Sequence, residues 1–215
     1  MLPQASDWDR HWRSQTSDAG ASWSKKRIMA VLKPILRPGL VALDAGSGTG
    51  FFARFFCETG LRTIALDWSE RSLEKVRAAT RNCAEIVKAD LVRDNLAGKI
   101  GCPVDIVFTD GLLEHFVPVD QDRILRNLAS VLSAQGLLVT VVPNRWSPWQ
   151  LIRPFLMPGI EEAPFVLSGL EQLHLRNGFA IEKSGGLNTL PMALSPEGAV
   201  AAKFGMLLYV VARLR

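Results

Sequence analysis

The sequence predicts a single α/β domain built from parallel βα units, and three observations carry that prediction. Apolar runs of about four to eight residues alternate with stretches of helical period. Four of those runs end on an aspartate, and a glycine-rich loop follows the first. With 215 residues, 48% hydrophobic and 21% charged, the chain can bury one sizeable core. No repeat or low-complexity tract divides it, so residues 1–215 read as one domain.

The elements can be placed in order. Residues 1–37 form a leading helical segment of one or two helices, stopped by the Pro38-Gly39 turn. Strands are expected at Leu40–Leu43, Thr63–Leu66, Glu85–Lys88, Val104–Phe108, Gly136–Val142, Phe179–Lys183 and Met206–Ala212. Helical patterns at Phe51–Glu58, Glu70–Thr80 and Asp120–Leu132 follow the first, second and fourth of these strands. Ser69 suits the N-cap of the second helix, and Gly60 a left-handed cap beyond the first. Between 143 and 167, Pro143, Pro148, Pro154, Pro158 and Pro164 exclude a long helix, and the stretch reads as an inserted substrate cap.

Composition narrows the partners. The net charge of +4 is diffuse; its longest cluster, Lys25-Lys26-Arg27, reads as a solvated helix face. A basic stripe of the kind nucleic acids need is missing, while contact with an anionic membrane surface stays open. Cys57, Cys83 and Cys102 are widely spaced and read as buried, reduced thiols, with neither a disulfide framework nor a metal-ligand set. The first residues lack the layout of a secretory signal, and the longest apolar run, Phe204–Ala212, is far short of the ~20 residues a spanning helix needs. A cytoplasmic location is expected.

The most informative pattern is the set of strand-end carboxylates, Asp44, Asp67, Asp90 and Asp110, spaced by 23, 23 and 20 residues. In an open parallel sheet, ligands bind outside the carboxyl ends of the strands. Aspartate is also a common turn and cap residue, but four in register make a lined rim. Such a rim repels phosphates and suits hydroxyls, amines or a positive centre. The loop Asp44-Ala45-Gly46-Ser47-Gly48-Thr49-Gly50 agrees: a dinucleotide fingerprint begun at Gly46 needs glycine at 51, where Phe51 stands, and there is no P-loop.

These residues resemble the class I S-adenosylmethionine-dependent methyltransferases. The resemblance rests on D-x-G-x-G-x-G at Asp44–Gly50, on Asp67, on the Ala89-Asp90-Leu91 step and on Asp110-Gly111-Leu112-Leu113-Glu114-His115-Phe116, which is similar to the small-molecule branch. It covers residues 40 to 145 well. It implies a Rossmann-like seven-stranded sheet of order 3-2-1-4-5-7-6 with strand seven antiparallel, helices on both faces, and S-adenosyl-L-methionine as cofactor. It implies that Gly46, Gly48 and Gly50 pass under the methionine part, and that Asp44, Ser47 and Asp110 also belong to the cofactor site. Asp67 would take the ribose hydroxyls, Asp90 and Leu91 the adenine edge, and Trp68 its face.

The acceptor side is marked by tryptophans. Trp8 and Trp12 share a helix face in the leading segment, where they either dock that helix or cover the acceptor. Arg145, Trp146 and Trp149 lie in the proline-broken stretch after strand five and fit a small, rather apolar acceptor. The D/N-P-P-Y/F step of base-amino methylation is missing after strand four, and Cys102 lies at the wrong strand end for a carbon nucleophile. His115 is the candidate general base, with Asp110 or Glu114 to orient it; His11 is unplaced and His174 reads as a helix-surface residue. No metal is expected, and no specific protein partner is suggested. Two rival readings are a non-catalytic S-adenosylmethionine-binding regulatory or scaffold protein, and a protein or RNA methyltransferase.

Overall fold

The computed structural model describes residues 21–151, 162–190, 192–197 and 199–215. Its sheet has seven strands: β1 (Val41–Ala45), β2 (Arg62–Asp67), β3 (Glu85–Lys88), β4 (Val104–Asp110), β5 (Leu132–Pro143), β6 (Phe179–Leu187) and β7 (Leu207–Leu214). Their order is β3-β2-β1-β4-β5-β7-β6, with β7 antiparallel to both neighbours and the other pairings parallel. The helices are α1 (Trp23–Leu32), α2 (Phe51–Glu58), α3 (Glu70–Thr80), α4 (Leu96–Ile100), α5 (Pro118–Ala129), α6 (Leu167–Arg176) and α7 (Ala199–Phe204).

Side chains alternate across a strand, so each central strand feeds two cores. On one face Leu43, Val107 and Leu138 pack with Ile124 and Leu128 of α5 and Leu170 and Leu173 of α6. On the other, Ala42, Phe108 and Val139 meet Ile28 and Leu32 of α1 and Phe52 and Phe56 of α2. Phe108 is clasped there, its ring centroid 4.6 Å from Phe52 and 5.8 Å from Phe56. The expected caps are present: Ser69 accepts the Ser72 N–H at the start of α3, and Gly60 takes φ 80° beyond α2. Among the described residues, no helix is long and apolar enough to cross a membrane.

Several expectations need correction. Asp44 lies inside β1, which begins one residue later than expected, at Val41, and runs two residues further, to Ala45. Helix α5 starts earlier, at Pro118, because proline suits a first turn whose N–H groups have no helical partner, and it ends at Ala129. Strand β5 begins at Leu132, ahead of Gly136, because Leu132 pairs with Val104 before the register shifts. Strand β6 continues through Gly185 and Gly186 to Leu187; the Ala201 carbonyl of α7 leaves no room for a Cβ at Gly186.

The cysteines are not three buried thiols. Cys57 at the end of α2 and Cys83 before β3 are joined as a disulfide, with Cα atoms 6.3 Å apart and Cys83 exposed, while Cys102 is free and half-buried. His174 is fully buried rather than on a helix surface. Its Nδ1 lies 2.9 Å from the Leu170 carbonyl, which can only accept, so Nε2 takes the Thr140 hydroxyl proton at 3.0 Å. Burial drives its pKa down to about 4.

Candidate functional site

The carboxyl ends of β1, β2, β3 and β4 open into a cleft enclosing about 560 Å3, open solvent included, walled by Gly46, Asp67, Trp68, Asp90, Leu91 and His115, with Leu66, Ala89, Gly111, Leu112 and Phe116. Six residues singled out from the sequence therefore meet at one place. The glycine loop makes this possible by left-handed turns at Gly46, Gly48 and Gly50, with φ of 77°, 52° and 78°. A Cβ at Gly50 would stand 2.9 Å from the Val76 Cα, so the loop lies directly on α3.

Asp67 is held as much as it holds. Its Oδ2 accepts the Gly48 N–H at 3.1 Å and lies 2.8 Å from the Ser72 hydroxyl; its Oδ1 accepts the Ser69 N–H at 2.9 Å. Even so, burial raises its pKa above the usual carboxylate value. Asp44 lies deeper. One oxygen accepts the Ala53 N–H, while Oδ2 is buried with no hydrogen-bond partner, as is the Ser47 hydroxyl. Burial, with Asp110 and Asp67 near, drives the Asp44 pKa up to about 8. At the end of β4, Asp110 is raised to about 6 by burial, against the opposing field of Lys25. Asp90 spends Oδ1 on its own turn, accepting the Val92 N–H at 2.8 Å.

His115 sits in a short 3-10 turn, Leu113–His115, and is buried against the cleft. Gln121 of α5 fastens that turn, its amide donating to the Leu113 carbonyl at 3.0 Å and the Phe116 carbonyl at 2.9 Å. Asn127, one helix face further, donates to Leu91 and Asp94 and fixes the loop after β3. Neither residue stands out in the sequence, because a buried amide in a helix looks like any surface amide. Glu114, His115 and Glu162 each bring a ligand atom to within 4.8 Å of the others. That trio could hold a metal ion or surround an imidazole with two carboxylates, and it answers the expectation that no ligand set exists.

Arg145 and Trp146, just beyond β5, are exposed, Trp146 by 64%, and Trp149 is half-buried; none of the three walls the cleft. The turn carrying them is built on Asn144, which is fully buried and donates to the Gly205 carbonyl at 2.9 Å while accepting the Trp146 N–H. Trp8, Trp12 and His11 lie outside the described residues.

Residues 43–140 match a methyltransferase domain family. Two probable S-adenosylmethionine-dependent methyltransferases of Mycobacterium tuberculosis are 33% identical over 103 residues, which is 48% of this chain and 35% of theirs. The matched stretch thus spans about a third of the length of these relatives. Among solved structures, a TehB-like S-adenosylmethionine-dependent methyltransferase from Corynebacterium glutamicum superposes with TM-score 0.68 at 16% identity, covering 98% of each chain. Magnesium protoporphyrin IX methyltransferase from Synechocystis, solved with bound S-adenosylhomocysteine, gives TM-score 0.65 at 17% identity over 100% of this chain and 89% of that one.

Proposed function

We propose, from the premise that this chain belongs to the class I S-adenosylmethionine-dependent methyltransferases, that it methylates a small, rather apolar acceptor with His115 as general base. The observation that carries the cofactor reading is the cleft: four strand-end loops converge on it, and a buried Asp44 oxygen at the end of β1 has no hydrogen-bond partner. Buried carboxylates that no cation pairs directly among the described residues call for a ligand bearing hydroxyls, amines and positive charge. S-adenosylmethionine meets that requirement, and when bound it supplies an electrophilic methyl group on a sulfonium.

The chain's own residues then bind and orient. Asp67, immobilised by Gly48, Ser69 and Ser72, offers its remaining lone pairs to the ribose hydroxyls. Asp90 and the Leu91 N–H would meet the adenine edge, and Trp68 its face. Leu112, Leu113 and Phe116 exclude water around His115. Glu114 and Glu162, beside the imidazole, stabilise the charge it gains on taking a proton from the acceptor. The exposed Trp146 and Leu151 support an apolar acceptor entering past the end of β5.

Calorimetry is expected to show S-adenosylhomocysteine binding in about the micromolar range; no heat with it, beside clear binding of NAD, overturns the family-based reading of the cleft. With methyl-labelled cofactor and fractionated small-molecule extracts, label should enter a small product. Label only in protein or RNA, or none at all, supports the two rival readings. His115→Ala should lower turnover about 10²–10⁴-fold with cofactor affinity nearly unchanged, and His115→Asn should do the same. Chelator should leave turnover intact; loss restored by added divalent metal would make the Glu114, His115 and Glu162 trio a cation site instead.

A further inference from the structure

The seam between α2 and α3 is closed by a covalent bond where its packing is thin. Its buried residues are Ala53, Ala65, Val76 and Ala84, a cluster apart from both large cores, with Cys57 and Ile86 packed at its margin. Side chains this small each bury little apolar area, so burial holds the seam only weakly. Yet the near ends of the same two helices shape the cleft. Helix α2 starts at Phe51, directly after the glycine loop, and the Ser72 hydroxyl of α3 lies 2.7 Å from the Gly48 carbonyl. At the far ends, Cys57 in the last turn of α2 and Cys83 just past α3 are cross-linked over 26 residues of chain.

The bond is placed for exchange as well as for support. Cys83 is exposed, and both cysteines line an open surface hollow together with Arg54 and Arg81. Glu58 stands there too, 3.7 Å from Arg54, while among the described residues no acid pairs with Arg81. Neighbouring cations stabilise a thiolate, the species that departs when a disulfide is opened. Cys83 also follows two left-handed residues, Arg81 and Asn82, with φ of 53° and 60°. Residues with a Cβ disfavour that backbone, and opening the bond frees it to relax.

We propose that Cys57–Cys83 is a reversible thiol–disulfide exchange site for small thiols of the glutathione class, and that closing it tightens the glycine loop on the cofactor. The thiolate of a small thiol attacks the Cys83 Sγ, and the bond between the two cysteines breaks with Cys57 leaving as thiolate. A second small thiol resolves the mixed disulfide. Two small thiols are thereby oxidised to one disulfide, and the cysteine pair gains two electrons and two protons. The effect on affinity rests on the S-adenosylmethionine reading above.

The test equilibrates the full chain in mixtures of reduced and oxidised glutathione, traps free thiols by alkylation, and measures S-adenosylhomocysteine affinity of each state by calorimetry. Cys57 and Cys83 should alkylate together as the mixture becomes reducing, and affinity should fall about 5–50-fold while circular dichroism still shows the fold. Reoxidation should restore it. Cys83→Ser should bind like the reduced protein with or without oxidant, and Cys102→Ser should respond like wild type. Linkage supplies a second readout: saturating S-adenosylhomocysteine should shift the glutathione ratio at half-reduction by the same factor. A bond that no glutathione mixture opens overturns the proposal, and so does affinity lost only together with the fold, which makes the bond a structural staple. Binding that differs by less than about twofold between the two states removes the coupling alone, whereas binding in neither state removes the methyltransferase reading of the cleft.

Discussion

The two ends of the sheet are built on different terms. On the β3-β2-β1 side the bonds of the two cleft aspartates are local: Asp67 binds Gly48, Ser69 and Ser72, and Asp90 binds Val92, all within 19 residues of chain. On the β5-β7-β6 side the contacts join distant segments: Asn144 to Gly205, Asn188 to Ser24, Arg27 to Glu197, Thr140 to His174. The first arrangement builds a wall of the cleft largely from neighbouring segments of chain. The second is a scaffold whose loops can change without disturbing that wall, which is the usual division between scaffold and loop in enzymes of this architecture.

Glycine substitutions should separate the two sides most sharply. Gly50→Val puts a side chain on a left-handed residue and into the backbone of α3, so a loss of roughly 2–5 kcal/mol is expected in a urea melt, with cofactor binding abolished. Gly178→Ala, also left-handed but with nothing within 4 Å, should cost only about 1–2 kcal/mol and leave cofactor affinity unchanged. Comparable loss of affinity from both would break the comparison.

Within the cofactor side, Asp67→Ala should lower S-adenosylhomocysteine affinity by roughly 1.5–3 kcal/mol, since hydrogen bonds to a charged acceptor vanish and the glycine loop loses its anchor. Asp90→Ala should cost less, because one of its oxygens already serves its own turn. Equal and negligible effects in calorimetry would mean that the cleft is not the cofactor site.

The two sides should also answer pH with opposite signs. Asp44, raised to about 8, makes the folded cofactor-free protein bind more protons than the unfolded chain, so its contribution to stability falls as pH rises from about 4 to about 8. His174, lowered to about 4, makes the unfolded chain bind more protons, so stability is lost as pH falls from 6.5 toward 4. By pH 5 the His174 loss should be on the order of 1–2 kcal/mol. Urea midpoints of Asp44→Asn and His174→Gln should lack the first and the second slope respectively; a slope that survives its substitution assigns it to other groups.

That same contrast explains what could be read from the sequence. The strand-end aspartates and the glycine loop are local patterns, and the element order follows from apolar periodicity, so the fold and the residues that wall the cleft were legible. His174 was not, because its neighbours Leu175 and Arg176 are exposed; only the i, i+4 relation to buried Leu170 places it on the inner face. Glu162 meets His115 only after β5 has been laid down between them, and the Cys57–Cys83 bond needs α2 and the start of β3 in place. Spacing along the chain holds no trace of such pairings.

The antiparallel β7 has a consequence for how the molecule is made. The ribosome delivers β1 to β4 in an order that lets each join a neighbour already present, since β2 and β4 flank β1 and β3 flanks β2. Strand β6 is different, because its single neighbour in the sheet is β7, which is synthesised after it. Until those eight residues emerge, β5 and β6 stand as two bare edges with a gap between them. A nascent chain stalled there already holds the strands that wall the cleft, yet presents to chaperones an open sheet that β7 must close.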